Sequence, residues 1–173
     1  MFTIAALQDL YRHLEWADAR VWTAALGSDA ALADAQLRER LQHIHLTQRA
    51  FLDVWTGQPV ERYLDMHFPS LRALYAWAQP YYAAVAEFID GATAEDLSTP
   101  TTVPWARYFA TERGGAVGTT TLEETLFQVT AHSTYHRGQV NTRLRALGIT
   151  PPLVDYIVWL WLERPAPQWP SAG

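Results

Sequence analysis

The stretch Thr121–Leu147 reads TLEETLFQVTAHSTYHRGQVNTRLRAL. Leu122, Leu126, Val129, Val140, Leu144 and Leu147 recur at helical spacing, which predicts one long amphipathic helix. Thr121 with Glu124 fits a capping box, in which a hydroxyl and a carboxylate satisfy opposite backbone donors, and Gly148 stops the helix. Midway along the apolar line, where further aliphatic residues would be expected, stand His132, Ser133 and His136. The reading therefore puts two imidazoles on a core-facing stripe that solvent does not reach.

Outward from this helix, three more long segments repeat apolar residues at the same spacing. Thr3–Leu26 carries Ile4, Leu7, Tyr11, Leu14, Ala17, Val21 and Ala25 on one face, closed by Gly27. Gln36–Trp55 carries Leu37, Leu41, Ile44, Gln48, Phe51 and Trp55, after a short turn near Ser28. Ser70 reads as the N-cap of a helix to Ile89, kinked at Pro80 because proline removes a backbone donor and clashes with the preceding turn. Between Ser98 and Thr119 the prolines, the glycines and the alternation of Val103, Trp105, Arg107 and Phe109 read as a loop with a short hairpin. Pro151-Pro152 open a last apolar helix, Leu153–Glu163, in which Trp159 and Trp161 face different sides, one toward the core and one toward a partner. The fold class is all-α: an up-down four-helix bundle with an extra C-terminal helix and a long irregular loop before the fourth bundle helix. One domain over residues 1–164 and a flexible Pro-rich tail over 165–173 complete the expected organisation.

The composition narrows the chemistry. The chain has 173 residues, 49% of them hydrophobic, and a formal net charge of −5. There is no Cys, and all 13 basic residues are Arg. Disulfides, thiolate nucleophiles, Cys-type zinc sites, Schiff-base lysines and the phosphate-loop lysine are thereby excluded. Scattered arginines in an acidic chain argue against a nucleic-acid partner, which needs clustered cations. No apolar run is long enough to span a bilayer and no basic-then-apolar leader stands at the N-terminus, so the expected location is the cytoplasm, without a membrane.

His132 and His136 are four residues apart, which puts both rings on one helix face within reach of a single cation. The same spacing also suits two histidines that only hydrogen-bond to neighbouring helices, and HxxxH without an intervening Glu does not separate the two readings. A third ligand could come from Gln36–Trp55, where His43 and His45 flank the buried face on opposite edges. His43 shares its edge with Thr47, Ala50 and Val54, whereas His45 shares its edge with Arg38 and Arg49. A cation avoids arginines, which favours His43 and reads His45 as a boundary residue. His13 reads as a packed or surface ring, and nothing in the pattern places His67. Gln139 falls nearest the ligand face and Arg137 off it. Glu124 and Asp155 read as cap or surface charges rather than as partners of the rings. The pocket is expected from the 58–69 and 98–119 loops.

Taken together, Tyr11-Arg-His-Leu-Glu-Trp-Ala-Asp18, Leu41-Gln-His-Ile44 followed by Phe51 to Gly57, His132-Ser-Thr-Tyr-His-Arg-Gly-Gln139, and Leu147-Gly148 followed by Pro151-Pro152 and Asp155 resemble the DinB-like superfamily of damage-inducible and related bacterial proteins. The resemblance runs over most of the chain. It implies a four-helix bundle that binds a divalent metal through His43, His132 and His136, with Zn or Ni ahead of Fe or Mn, and it implies a homodimer. Relatives of this kind include S-transferases that use bacillithiol and a mycothiol-dependent maleylpyruvate isomerase. The implied activity is a metal-dependent thiol S-transfer or hydrolysis, with a small thiol or water brought in from solution. The alternatives are a non-catalytic metal- and ligand-binding stress protein, and a structural dimer whose histidines only pack.

Overall fold

The computed structural model describes residues 2–63 and 65–171. Along the chain run α1 (Ile4–Leu26), α2 (Asp29–Leu32), α3 (Ala35–Trp55), α4 (Leu71–Ala78), α5 (Tyr81–Gly91), β1 (Pro100–Thr101), α6 (Ala106–Arg113), β2 (Thr120–Thr121), α7 (Leu122–Ala146) and α8 (Tyr156–Trp161). Side-chain caps start the long helices: Thr3, Asp34 and Ser70 accept from the N–H three residues on. Thr121 and Glu124 form the full capping box. Each cap satisfies a backbone donor that the first helical turn leaves open, worth about 1 kcal/mol.

The bundle is formed by α1, α3, the α4–α5 pair and α7, with α7 packed on α3 and α1, α5 on α1, and α4 on α3. At one end Val21, Trp22, Leu37, Leu41, Leu71, Leu74, Val140 and Leu144 bury one another. At the other end Leu7, Phe51, Val85, Ile89, Leu122 and Leu126 do the same. The two clusters fix the chain directions as up, down, down, up. The return after α3 is made by residues 57–70, which when extended reach about 50 Å, more than the roughly 30 Å length of α3.

The segment from Ser70 does not continue through Pro80 as one kinked helix. It breaks into α4 and α5, with Pro80 at the N-cap of the second. The 98–119 segment also differs from a plain loop. Its two-residue ladder pairs β1 with β2, and between them stands α6, which ends at Gly114 in the left-handed region with φ of 67°. No residue of α6 is buried, so the apolar periodicity that marks the other helices is missing there. The last helix is shorter than the spacing predicts, because 153–155 are not helical and Asp155 is extended at the N-cap of α8. Trp159 of α8 is buried against Trp16 and Ala17, while Trp161 is 73% exposed.

Two residues of the Pro-rich tail, Trp169 and Pro170, touch the bundle. Trp169 lies 5.0 Å from the Tyr82 ring and donates to Glu15 at 3.0 Å, and Tyr75 donates to the Pro170 carbonyl at 2.6 Å. Ala172 and Gly173 lie outside the described residues. No helix is long and apolar enough to cross a membrane among the described residues.

Candidate metal centre

The buried line of α7 is Leu122, Leu126, Val129, Ser133, Arg137, Val140 and Leu144. His132 and His136 each precede one of these positions, so they sit about 100° round the helix, half-buried on the flank that faces α3. The expectation that both rings occupy the core stripe is therefore corrected: the core positions belong to Ser133 and Arg137. The physical reason is a one-residue offset, since the buried seven-residue series run Leu126, Ser133, Val140 and Thr130, Arg137, Leu144.

His43 projects from α3 toward the same flank. Its ring centroid is 4.9 Å from that of His132 and 4.3 Å from that of His136, and the latter two are 4.3 Å apart. One ring nitrogen from each residue lies within 4.8 Å of the other two. The Nε2 atoms of His43 and His136 are 3.2 Å apart. Two imidazoles on one tetrahedral zinc, each at 2.0–2.1 Å, place their nitrogens about 3.3 Å apart. Gln139 fixes the tautomer of His136: its amide oxygen is 3.1 Å from Nδ1, which must donate, leaving a lone pair on Nε2. His132 Nε2 is shut off from solvent and has no hydrogen-bond partner among the described residues. Burial, reinforced by His136 and His43, pushes His132 down to about 4, and burial followed by His136 lowers His43. These are conditions that favour neutral imidazoles with free lone pairs, the form in which histidine ligates a metal.

His45 is not a boundary residue. It is 1% exposed, accepts from Trp22 Nε1 at 2.9 Å and meets Gln48 Oε1 through Nδ1 at 2.8 Å. Gln48 in turn donates to Asp18 at 2.9 Å and to Ser133 at 3.2 Å, and Tyr82 donates to Asp18 at 2.7 Å. Arg137 completes the set with an ion pair to Asp18, both side chains buried. This network joins α1, α3, α5 and α7 directly beneath the three histidines. Sequence reasoning placed Gln48 on its seam but missed Asp18 and Arg137. The available signal was a charged residue at a core position on each of two helices, with opposite signs.

The remaining candidates lie elsewhere. His13 is buried and meets the Val154 carbonyl at 2.9 Å, with Tyr156 edge-on at 5.1 Å. His67 is exposed. Glu124 is held in the capping box, and Asp155 precedes α8. Beside the cluster a cleft of about 390 Å³ opens between α3 and α7, with His43 and His132 in its wall. Val60, Glu61 and Tyr63 roof it from one side, and Pro104, Trp105, Arg107 and Tyr108 from the other, the two loops expected to build the pocket.

An up-down-down-up helical bundle with a three-histidine cluster on the facing flanks of α3 and α7 defines the class of protein. The chain belongs to the DinB family, whose model matches residues 1–169. Comparison with curated proteins returns no match.

Proposed function

We propose that this DinB-family chain holds one divalent cation on His43, His132 and His136 and serves as a metal-dependent enzyme acting with a small thiol or water. The observation that carries the reading is the approach of three ring nitrogens, one of them buried and unpartnered, on two helices that a buried network holds in register. Three neutral imidazoles suit Zn or Ni, with Fe and Mn also within their range. When bound with open positions, such a cation lowers the pKa of a coordinated water or thiol, supplying a nucleophile at neutral pH.

The chain's own part is positional. Gln139 presents His136 in the ligating tautomer, and burial keeps His132 uncharged. Arg40 donates to the Gln139 carbonyl at 2.8 Å, tying α3 to α7 beside the cluster. With neither Cys nor Lys in the sequence, the attacking group comes from solution. A second copy of the chain is proposed to pair through the apolar face that Ile157, Trp161 and Leu162 expose at the C-terminal helix.

The test is turnover of metal-loaded protein across a panel of small thiols and electrophiles. Activity should vanish on chelation, return with the cation and be absent in His132→Ala. A second reading, non-catalytic ligand binding, is favoured by one observation: no carboxylate contacts the three rings among the described residues to serve as a general acid or base. Stoichiometric cation without turnover, and ligand recovered unchanged, would establish that reading instead.

A further inference from the structure

The cleft that ends at His43 and His132 is walled mainly by carbon, with Gln128 of α7 as a polar exception. Leu46, Ala50 and Phe51 of α3 form its floor, and Val60, Pro104 and Trp105 close over it. The Trp105 ring meets Phe51 edge-on at 4.9 Å. Two of its wall hydroxyls are engaged as donors, Thr47 to the His43 carbonyl at 2.9 Å and Tyr63 to Asp53 at 2.5 Å, while Tyr108 at the rim accepts from Arg107 at 3.1 Å. At the rim, Glu61 and Arg107 are exposed and within electrostatic reach of each other, so the mouth carries charges of both signs and no net charge. A charged or strongly polar arm lying against the exposed sides of Phe51 and Trp105 would lose hydration that these apolar walls do not replace. An apolar arm gains there instead. The volume is at the small end of ligand pockets.

We infer that the substrate of this site is a small amphiphile: an apolar arm of phenylpropyl size lies under Trp105, and a single donor head reaches the His43–His132 end. Hydrophilic thiols and dicarboxylates are thereby disfavoured, and Trp105 is the residue that sets this specificity. The head-group half of the inference rests on the metal reading above; the arm half does not.

The test is calorimetric titration of the full chain, zinc-loaded and chelated, with 4-phenylbutanoate, with glutarate (a carboxylate head on a polar arm) and with 4-phenylbutan-1-ol. The loaded protein should bind 4-phenylbutanoate at least about tenfold more tightly than glutarate. Trp105→Ala should lose about tenfold in affinity for both phenyl ligands while still binding zinc, and Trp105→Phe should retain most of it. The alcohol should bind loaded and chelated protein alike. Equal affinity for glutarate and 4-phenylbutanoate, or a Trp105→Ala variant with unchanged affinity, would overturn the inference. If zinc fails to bind but the alcohol binds through Trp105, the cleft stands and the metal reading falls. If zinc binds and no phenyl ligand does, the metal reading stands and this inference falls.

Discussion

Gln139 decides which nitrogen of His136 faces the cluster. Without its amide oxygen the ring is free to take the other tautomer or to rotate, and a ring that must first be oriented binds a cation less well. Gln139→Ala should weaken zinc binding about 10–100-fold in a competition titration, whereas Gln139→Glu, which keeps the acceptor, should not. An unchanged affinity in the alanine variant would remove Gln139 from the account. That His43, and not His45, stands beside the HxxxH pair was legible in the residues, since His43 shares an edge with small neighbours. The reading of His45 as a boundary residue failed for a physical reason. Arg49, taken as a sign of solvent, sets its guanidinium over the Trp77 ring at 5.2 Å and donates to the Trp77 carbonyl at 2.8 Å. Arginine on a helix edge can thus cover apolar surface as well as mark water.

The helices α3 and α7 hold the site only if their register is fixed, and the Asp18 network fixes it. Asp18 accepts from Gln48 of α3 and pairs with Arg137 of α7, one residue from His136. Removing the carboxylate leaves a buried guanidinium without its partner. Asp18→Ala should therefore destabilise the protein by about 3–5 kcal/mol in urea unfolding, and a loss below about 1 kcal/mol would contradict this role. Among the elements, α1, α3 and α7 could be read from their periodicity and caps, and the α4–α5 pair only as one kinked segment. By contrast α6 could not, because a helix that buries nothing carries no apolar stripe. Its one readable sign was Gly114, where the left-handed backbone favours glycine and which the sequence reading assigned to a loop.

The direction of the chain through the bundle, and the return of the tail across α1, α4 and α5, depend on long-range packing that local patterns do not encode. Trp169 shows this: among prolines it reads as part of a frayed end, yet its ring reaches Tyr75 and Tyr82. The whole molecule also has a definite acid response. Burial lowers His13, His43 and His45 below the ordinary value of 6.5, and His132 falls to about 4. Between pH 6.5 and 5 the unfolded chain therefore binds more protons than the folded one, so stability is full above 6.5 and lost as pH falls. Urea midpoints of the chelated protein should drop steadily from pH 7 to pH 5, and a flat or rising midpoint would contradict the assignment. The central claim, that three imidazoles from two helices share one cation, is tested most directly by zinc titration followed by X-ray absorption at the metal edge. The account predicts one zinc per chain with three imidazole nitrogens at about 2.0–2.1 Å, and the loss of one of them in His43→Ala. Zinc bound well below one per chain, or an identical spectrum after His43→Ala, would contradict it.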